Sequence, residues 1–150
     1  MYSVTIFIAH IWLLGAAWTD LKFRKVSNRW CLCGAIAAMV LLAVQSTPEM
    51  GGLAFFLDRI FGALFASGFL LLGTLIRRGG IGMGDVKVFF VLGLLLGTEC
   101  VGIVLFLTLV AALIVAAVGL AIKRMNRKYP LPLCTFAYIA MVTLCLMRRC

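Results

Sequence analysis

Long apolar runs alternate with short polar interruptions along the whole chain, and this pattern predicts helices that cross a bilayer. A run from Tyr2 to Trp18 is followed by the polar stretch Thr19 to Arg29, and a second, shorter run covers Trp30 to about Val44. Gln45 to Gly52, with Pro48 and Glu49, reads as a polar turn. Leu53 to Arg59 is apolar apart from Asp58 and Arg59, so an interfacial start is expected there, with the true third span over Ile60 to Ile76. After Arg77, Arg78 and a glycine-rich loop, further spans are predicted over Val86 to Thr98, Cys100 to Ile122 and Leu133 to Met147. A membrane helix uses about 20 residues. The expected fold is therefore all-α and polytopic, with about six transmembrane helices, short loops, one domain over residues 1–150 and no soluble domain.

Composition strengthens that reading. Of 150 residues, 65% are hydrophobic and 13% charged, and mean hydropathy is +1.17. Soluble domains hold about 45–50% apolar and about 25% charged residues, and a chain this short cannot bury the difference. The first run lacks a basic start and a small-residue cleavage site, so it reads as a retained helix and not a signal peptide.

The net charge of +9 comes from 14 Lys and Arg against 5 Asp and Glu. These bases cluster between apolar runs, as cytoplasmic loops facing anionic lipid do. They are not interleaved with the stacking aromatics that nucleic acid requires, so no nucleic-acid partner is expected. The loops after spans one, three and five hold eleven Lys and Arg, and the opposite side holds three: Arg59, Arg148 and Arg149. Both termini are expected outside and the odd-to-even loops in the cytoplasm. Tyr2, Trp18, Trp30 and Tyr129 fall at span ends, where aromatic belts lie.

With so few acids, each one can be weighed. Glu49 and Glu99 read as solvated turn residues, and Asp58 with Arg59 as a local pair at the outer interface. Asp20 closes the first span and Asp85 opens the fourth, both at the cytoplasmic boundary although 65 positions apart. Either one has an ordinary structural explanation. Asp85 can cap a helix N-terminus, and Asp20 can close a helix, though its charge is disfavoured by the dipole there. Ionisable groups at the hydrocarbon edge are nonetheless costly and usually functional. A simple cap has no need of Gly79, Gly80, Gly82 and Gly84 immediately before Asp85. Glycines there permit positive φ and close approach of an extended peptide.

Three segments carry a resemblance: Asp20-Leu-Lys-Phe-Arg-Lys-Val-Ser-Asn28, Gly82-Met83-Gly84-Asp85-Val86-Lys87, and Pro130-Leu131-Pro132 before the last span. Together they resemble the type IV prepilin peptidases, the GxGD-type membrane aspartic proteases, across almost the whole chain. Ser27 stands where that family usually has proline. The larger members also carry a cytoplasmic insert with two Cys-x-x-Cys pairs and an N-methylation activity. No such spacing occurs in this sequence, so it is similar to the short, peptidase-only branch serving tight-adherence (Flp-type) or related pilus systems. The resemblance implies catalytic roles for Asp20 and Asp85, and a prepilin or pseudopilin substrate with a single apolar segment. It places the enzyme in the prokaryotic inner membrane, with its site at the cytoplasmic face and no methyltransferase activity.

Two carboxylates at close range cannot both ionise, so they can share one proton and supply both the base and the acid that peptide hydrolysis needs. Which aspartate holds the proton stays open. The expected mechanism uses water, without metal, cofactor or covalent intermediate. Gly82, Gly84, Lys87 and Asn28 are candidates for shaping the loops or holding substrate. Lys87 reads equally as a snorkelling interface residue, and Asn28 as a turn residue. Two other functions fit the same pattern: a small transporter or channel with boundary carboxylates, or a non-enzymatic subunit of a pilus or secretion machine.

The remaining conspicuous residues read as structural. Cys31, Cys33, Cys134 and Cys145 are expected to be small packing groups, and Cys100 with Cys150 permits a bridge on the oxidising side. No Cys-x₂₋₄-Cys…His set exists for zinc. His10 is expected to hydrogen-bond between helices. Gly93-Leu-Leu-Leu-Gly97 is a GxxxG that suits packing within the chain as well as dimerisation.

Overall fold

The computed structural model describes residues 2–23, 27–45, 52–76, 82–121 and 133–147. They form six helices and, among the described residues, no strand: α1 (Tyr2–Phe23), α2 (Asn28–Gln45), α3 (Gly52–Ile76), α4 (Met83–Leu96), α5 (Thr98–Ala121) and α6 (Leu133–Met147). Four stretches are long and apolar enough to cross a membrane: Val4–Lys22, Asn28–Gln45, Gly52–Leu75 and Thr98–Gly119. The protein is polytopic. The bases at 24, 25, 77, 78, 123, 124, 127, 128, 148 and 149, the turn at Pro48 and Glu49, and Pro130 to Pro132 lie outside the described residues.

Most helices are apolar on every side, as expected of segments surrounded by lipid and by each other. Phe7, Leu32, Phe61, Phe106 and Leu113 face outward, while the inner faces meet in one apolar core that includes Leu13, Leu70, Phe89, Leu92, Val104 and Met141.

α4 is the centre of the bundle, in contact with all five other helices. Its residues from Val91 to Gly97 are all buried. It has only 14 residues, about 21 Å at 1.5 Å per residue, against a hydrocarbon core of about 30 Å. The expected run, Val86 to Thr98, is equally short, and longer neighbours enclose the helix.

Small residues allow this enclosure. Helices in lipid gain no hydrophobic energy from meeting each other and rely on close packing. A Cβ on Gly93 would collide with the backbone of Ala63, and one on Gly62 would lie 2.8 Å from the backbone of Gly97 and Thr98. The GxxxG is therefore occupied by α3 within the chain. Gly97, at φ +81°, makes the whole connection from α4 to α5 in a conformation that other residues rarely adopt. The tight turn lies at Gly97, and Glu99 falls in the first turn of α5.

Polar residues tie down the end of the bundle around Gly97. Arg59 is only 3% exposed and lies within a continuous α3, so the expected interfacial start is not a separate segment. Its Nη1 donates to the Leu95 carbonyl, and its guanidinium sits 4.6 Å from the Phe55 ring centre. Asp58 accepts from the Thr98 backbone N–H at 3.3 Å, and the Thr98 hydroxyl donates to the Asp58 carbonyl at 2.8 Å. Both residues thus serve the α4–α5 turn. In hydrocarbon, the carbonyls at a helix end need such donors. Arg59→Met is expected to lower stability by about 1–3 kcal/mol, the cost of a buried carbonyl that loses its donor. The thermal midpoint in detergent measures it, and Arg59→Lys should recover part of the loss.

α1 and α2 are clasped by two tryptophans. Trp12 Nε1 donates to the Trp30 carbonyl at 3.2 Å, and Trp30 Nε1 donates to the Trp12 carbonyl at 3.3 Å. Each indole lies where a side chain at the facing glycine, Gly34 under Trp12 and Gly15 under Trp30, would stand. Trp30 is therefore an interhelical fastener besides lying at a span end. The Gln45 amide donates to the Thr5 hydroxyl at 2.8 Å, joining the far ends of the same two helices. His10 does not bond across helices as expected: its Nδ1 meets the Ile6 carbonyl of its own helix at 2.9 Å. The ring turns its edge toward Tyr138 of α6, 6.4 Å away.

Candidate active site

Three helix ends converge at the end of the bundle opposite Gly97. Asp20 lies in the last turn of α1, Asp85 is the third residue of α4, and Cys134 is the second residue of α6. One carboxylate oxygen from each aspartate and the Cys134 Sγ all lie within 4.8 Å of one another. All three side chains are buried. The 65 positions between the aspartates are closed by the placement of α4 against α1, with α6 touching both.

Asp85 does not cap its helix. The N-cap of α4 is Gly82, and no side chain bonds to the first turn there. The Asp85 backbone N–H closes that turn on the Gly82 carbonyl at 3.0 Å. The Asp85 carboxylate instead points to Cys134, whose thiol donates to Oδ1 at 3.2 Å. Asp20 is 7% exposed, and its Oδ2 has no hydrogen-bond partner. An unmet carboxylate oxygen in a buried place is costly. A water or another polar group between the two aspartates would relieve that cost.

The glycines act by their lack of bulk. Gly82 has φ −72° and ψ 138°, extended backbone open to any residue, so the expected need for positive φ does not apply to it. A Cβ there would come 3.3 Å from Asp85 Oδ2, crowding the carboxylate on its open side. Gly84 lies in the first turn of α4, next to Asp85. Gly79 and Gly80 are outside the described residues.

Lys87 and Asn28 meet each other. The Lys87 ammonium donates to the Asn28 side-chain carbonyl at 2.8 Å, bridging α4 to the first turn of α2. Both are exposed. They stand over a groove of about 600 Å³ whose walls include Cys31, Leu32, Ala35, Val86 and Phe90. Val86 and Lys87, which line it, follow Asp85 directly on α4.

Cys134 is the member of this cluster that sequence reasoning missed. A cysteine inside an apolar run reads as packing, and it is fully buried as such a group should be. The signal was its place: it comes two residues after Pro132 of Pro130-Leu131-Pro132, in the first turn of a helix whose start lies at the boundary where the aspartates are. Cys150, the other half of the suggested bridge with Cys100, lies outside the described residues.

Comparison with known proteins adds to this geometry. The sequence matches the model of the type IV leader peptidase family over residues 7–120, a stretch holding both aspartates. It is 28% identical over 134 residues to the prepilin leader peptidase/N-methyltransferase of Bacillus subtilis (strain 168). That alignment covers 88% of this chain and 50% of the relative, so the chain spans about half the length of the curated protein it matches. No solved structure matches.

Proposed function

The chain belongs to the type IV leader peptidase family, and from that premise we propose that it is an aspartic endopeptidase cutting the short basic leader from type IV-like prepilins or pseudopilins. The observation that carries the reading is the meeting of Asp20 and Asp85, brought within 4.8 Å by separate helices. At this range the two carboxyls share one proton. Water held between them is deprotonated by the charged carboxylate and attacks the scissile carbonyl. The protonated partner gives its proton to the carbonyl oxygen, and the amine leaves with a proton returned from the pair. Neither a covalent intermediate nor a catalytic metal is required by this sequence of steps. In this reading the pair works at the inner face of the prokaryotic membrane, which the basic clusters expected in the cytoplasmic loops support.

The substrate reading follows from the surroundings of the pair. The groove under Lys87 and Asn28 is walled largely by apolar side chains of α2 and α4, which suits the single apolar segment of a prepilin. We assign peptidase activity without N-methylation, since the paired Cys-x-x-Cys spacing of the larger enzymes does not occur in this sequence.

Co-expression with a single-span substrate carrying a short basic leader tests the proposal. Leader loss on a gel in membranes that contain the protein is expected. A substrate left whole beside normally accumulated protein, for several such leaders, would sink it. The Lys87–Asn28 bridge makes a finer point. Lys87→Met is expected to raise KM about three- to tenfold, the worth of one partly exposed hydrogen bond, with a smaller change in kcat. If the two act through their bond, adding Asn28→Ala to Lys87→Met costs nothing further.

A further inference from the structure

Asp20, Asp85 and Cys134 form a donor set that peptide hydrolysis does not need. Two carboxylates suffice for the water chemistry, yet a thiol is held against one of them and within 4.8 Å of both. We propose that these three side chains bind a single thiophilic divalent cation of the zinc or cadmium class, and that the bound ion blocks the peptidase. The blocking half rests on the proposed function; the binding half stands on the geometry of the three groups.

Tetrahedral zinc takes sulfur at about 2.3 Å and carboxylate oxygen at about 2.0–2.2 Å, which sets ligand atoms roughly 3.5 Å apart. The Cys134–Asp85 edge, at 3.2 Å, already meets that spacing, and the other edges, within 4.8 Å, close by about 1 Å or less to reach it. All three residues sit in the first or last turn of a helix, where side-chain rotation supplies such a movement without shifting the bundle. The second observation is Asp20 itself. It is more than nine-tenths buried, presents an oxygen to the trio, and leaves Oδ2 without a hydrogen-bond partner. A buried carboxylate with one oxygen unmet is a poor resting state and a good ligand.

The donor chemistry selects the ion. Magnesium and calcium require six or more oxygen ligands, more than the trio offers. A sulfur donor with few oxygens suits zinc and its softer relatives. On binding, the Cys134 S–H bond breaks and a sulfur–metal bond forms. The thiol proton and the proton shared by the aspartates both pass to water, and nothing is oxidised or reduced. With an oxygen of each carboxylate bound to the ion, neither can take a proton from water nor give one to the substrate.

The test uses the full chain in detergent with cadmium ion as the probe, read by the ultraviolet charge-transfer band of a thiolate–cadmium bond. One equivalent is expected to bind, with zinc competing for the same place. Cys134→Ser should abolish the band and weaken binding beyond the about 10–100-fold that a ligand's outer partner is worth. Cys33→Ser, at an exposed position, should leave both unchanged. If Cys134→Ser does not accumulate, Asp20→Asn serves instead, keeping the thiol and weakening binding in the same way. In the cleavage assay, zinc should stop the wild-type enzyme, and the inhibitory concentration should rise in Cys134→Ser relative to that variant's own metal-free rate. A band that survives Cys134→Ser, or the absence of any band in wild type, overturns the site. Cleavage indifferent to either ion overturns it while leaving the peptidase intact. A Cys134-dependent band in a protein that cuts no leader keeps the site and removes the peptidase.

Discussion

Asparagine at either Asp20 or Asp85 is expected to reduce leader removal by at least about a thousandfold, within the range that one general acid or base contributes. The double variant is expected to be no slower than either single one. Hydrolysis by a shared proton needs both carboxyls in every turnover, so removing one disables the other, and the losses do not multiply. Asparagine keeps the volume and one acceptor but cannot carry the proton. The fold should survive, because each change puts a neutral amide of equal volume in a buried place where two ionisable carboxyls lie within 4.8 Å and leaves the bundle's apolar core untouched. The measurement is the initial rate of leader loss at matched protein levels in the membrane. A single variant that still cuts at a near-normal rate would show that the two aspartates are not one catalytic pair. Losses that multiply in the double variant would show that they act in separate steps.

The second large effect is expected at Gly93. A methyl group there meets the backbone of Ala63 in α3, and backbone cannot swing aside as a flexible side chain can. Gly93→Ala should therefore destabilise by about 1–3 kcal/mol, the usual cost of overpacking. Gly93→Leu should prevent α3 from seating on α4, so that little folded protein is recovered. Gly68 supplies the contrast, since a Cβ there meets nothing within 4 Å. Gly68→Ala should be neutral or slightly stabilising, alanine being the better helix former by up to about 1 kcal/mol. Size-exclusion profiles after stepwise heating in detergent separate these outcomes. Equal behaviour of Gly93→Ala and Gly68→Ala would mean that the α3–α4 contact is looser than described.

The elements were legible because each helix is an apolar run that polar residues interrupt. Both aspartates were legible too, as acids where an acid is expensive. What escaped the sequence depended on contacts between distant segments. Arg59 looks like an interfacial base from its neighbours alone; only the arrival of Leu95, on α4, makes it an internal donor. Cys134 resembles its fellow cysteines until α6 is laid against α4. Lys87 and Asn28 were each ambiguous singly, and their 2.8 Å bond relates two residues 59 positions apart. Of the two properties expected of the glycines before Asp85, positive φ and absence of bulk, Gly82 shows the second. Gly82 is extended backbone, and what matters is the space it leaves beside the carboxylate. Periodicity finds helices, but it does not say which residues one helix will find on another.

The reciprocal bond between Trp12 and Trp30 gives the molecule its own optical reporter. Only three tryptophans exist; two of them are locked across the α1–α2 seam, while Trp18 is 70% exposed on the outside of α1. Any opening that swings α2 away from α1 must release both indole N–H groups together and change the polarity each ring senses. Trp18, beside lipid, keeps its surroundings through the same movement and reports instead on the bilayer. The emission of the clasped pair thus follows the arm that carries Asp20, and it does so without a label.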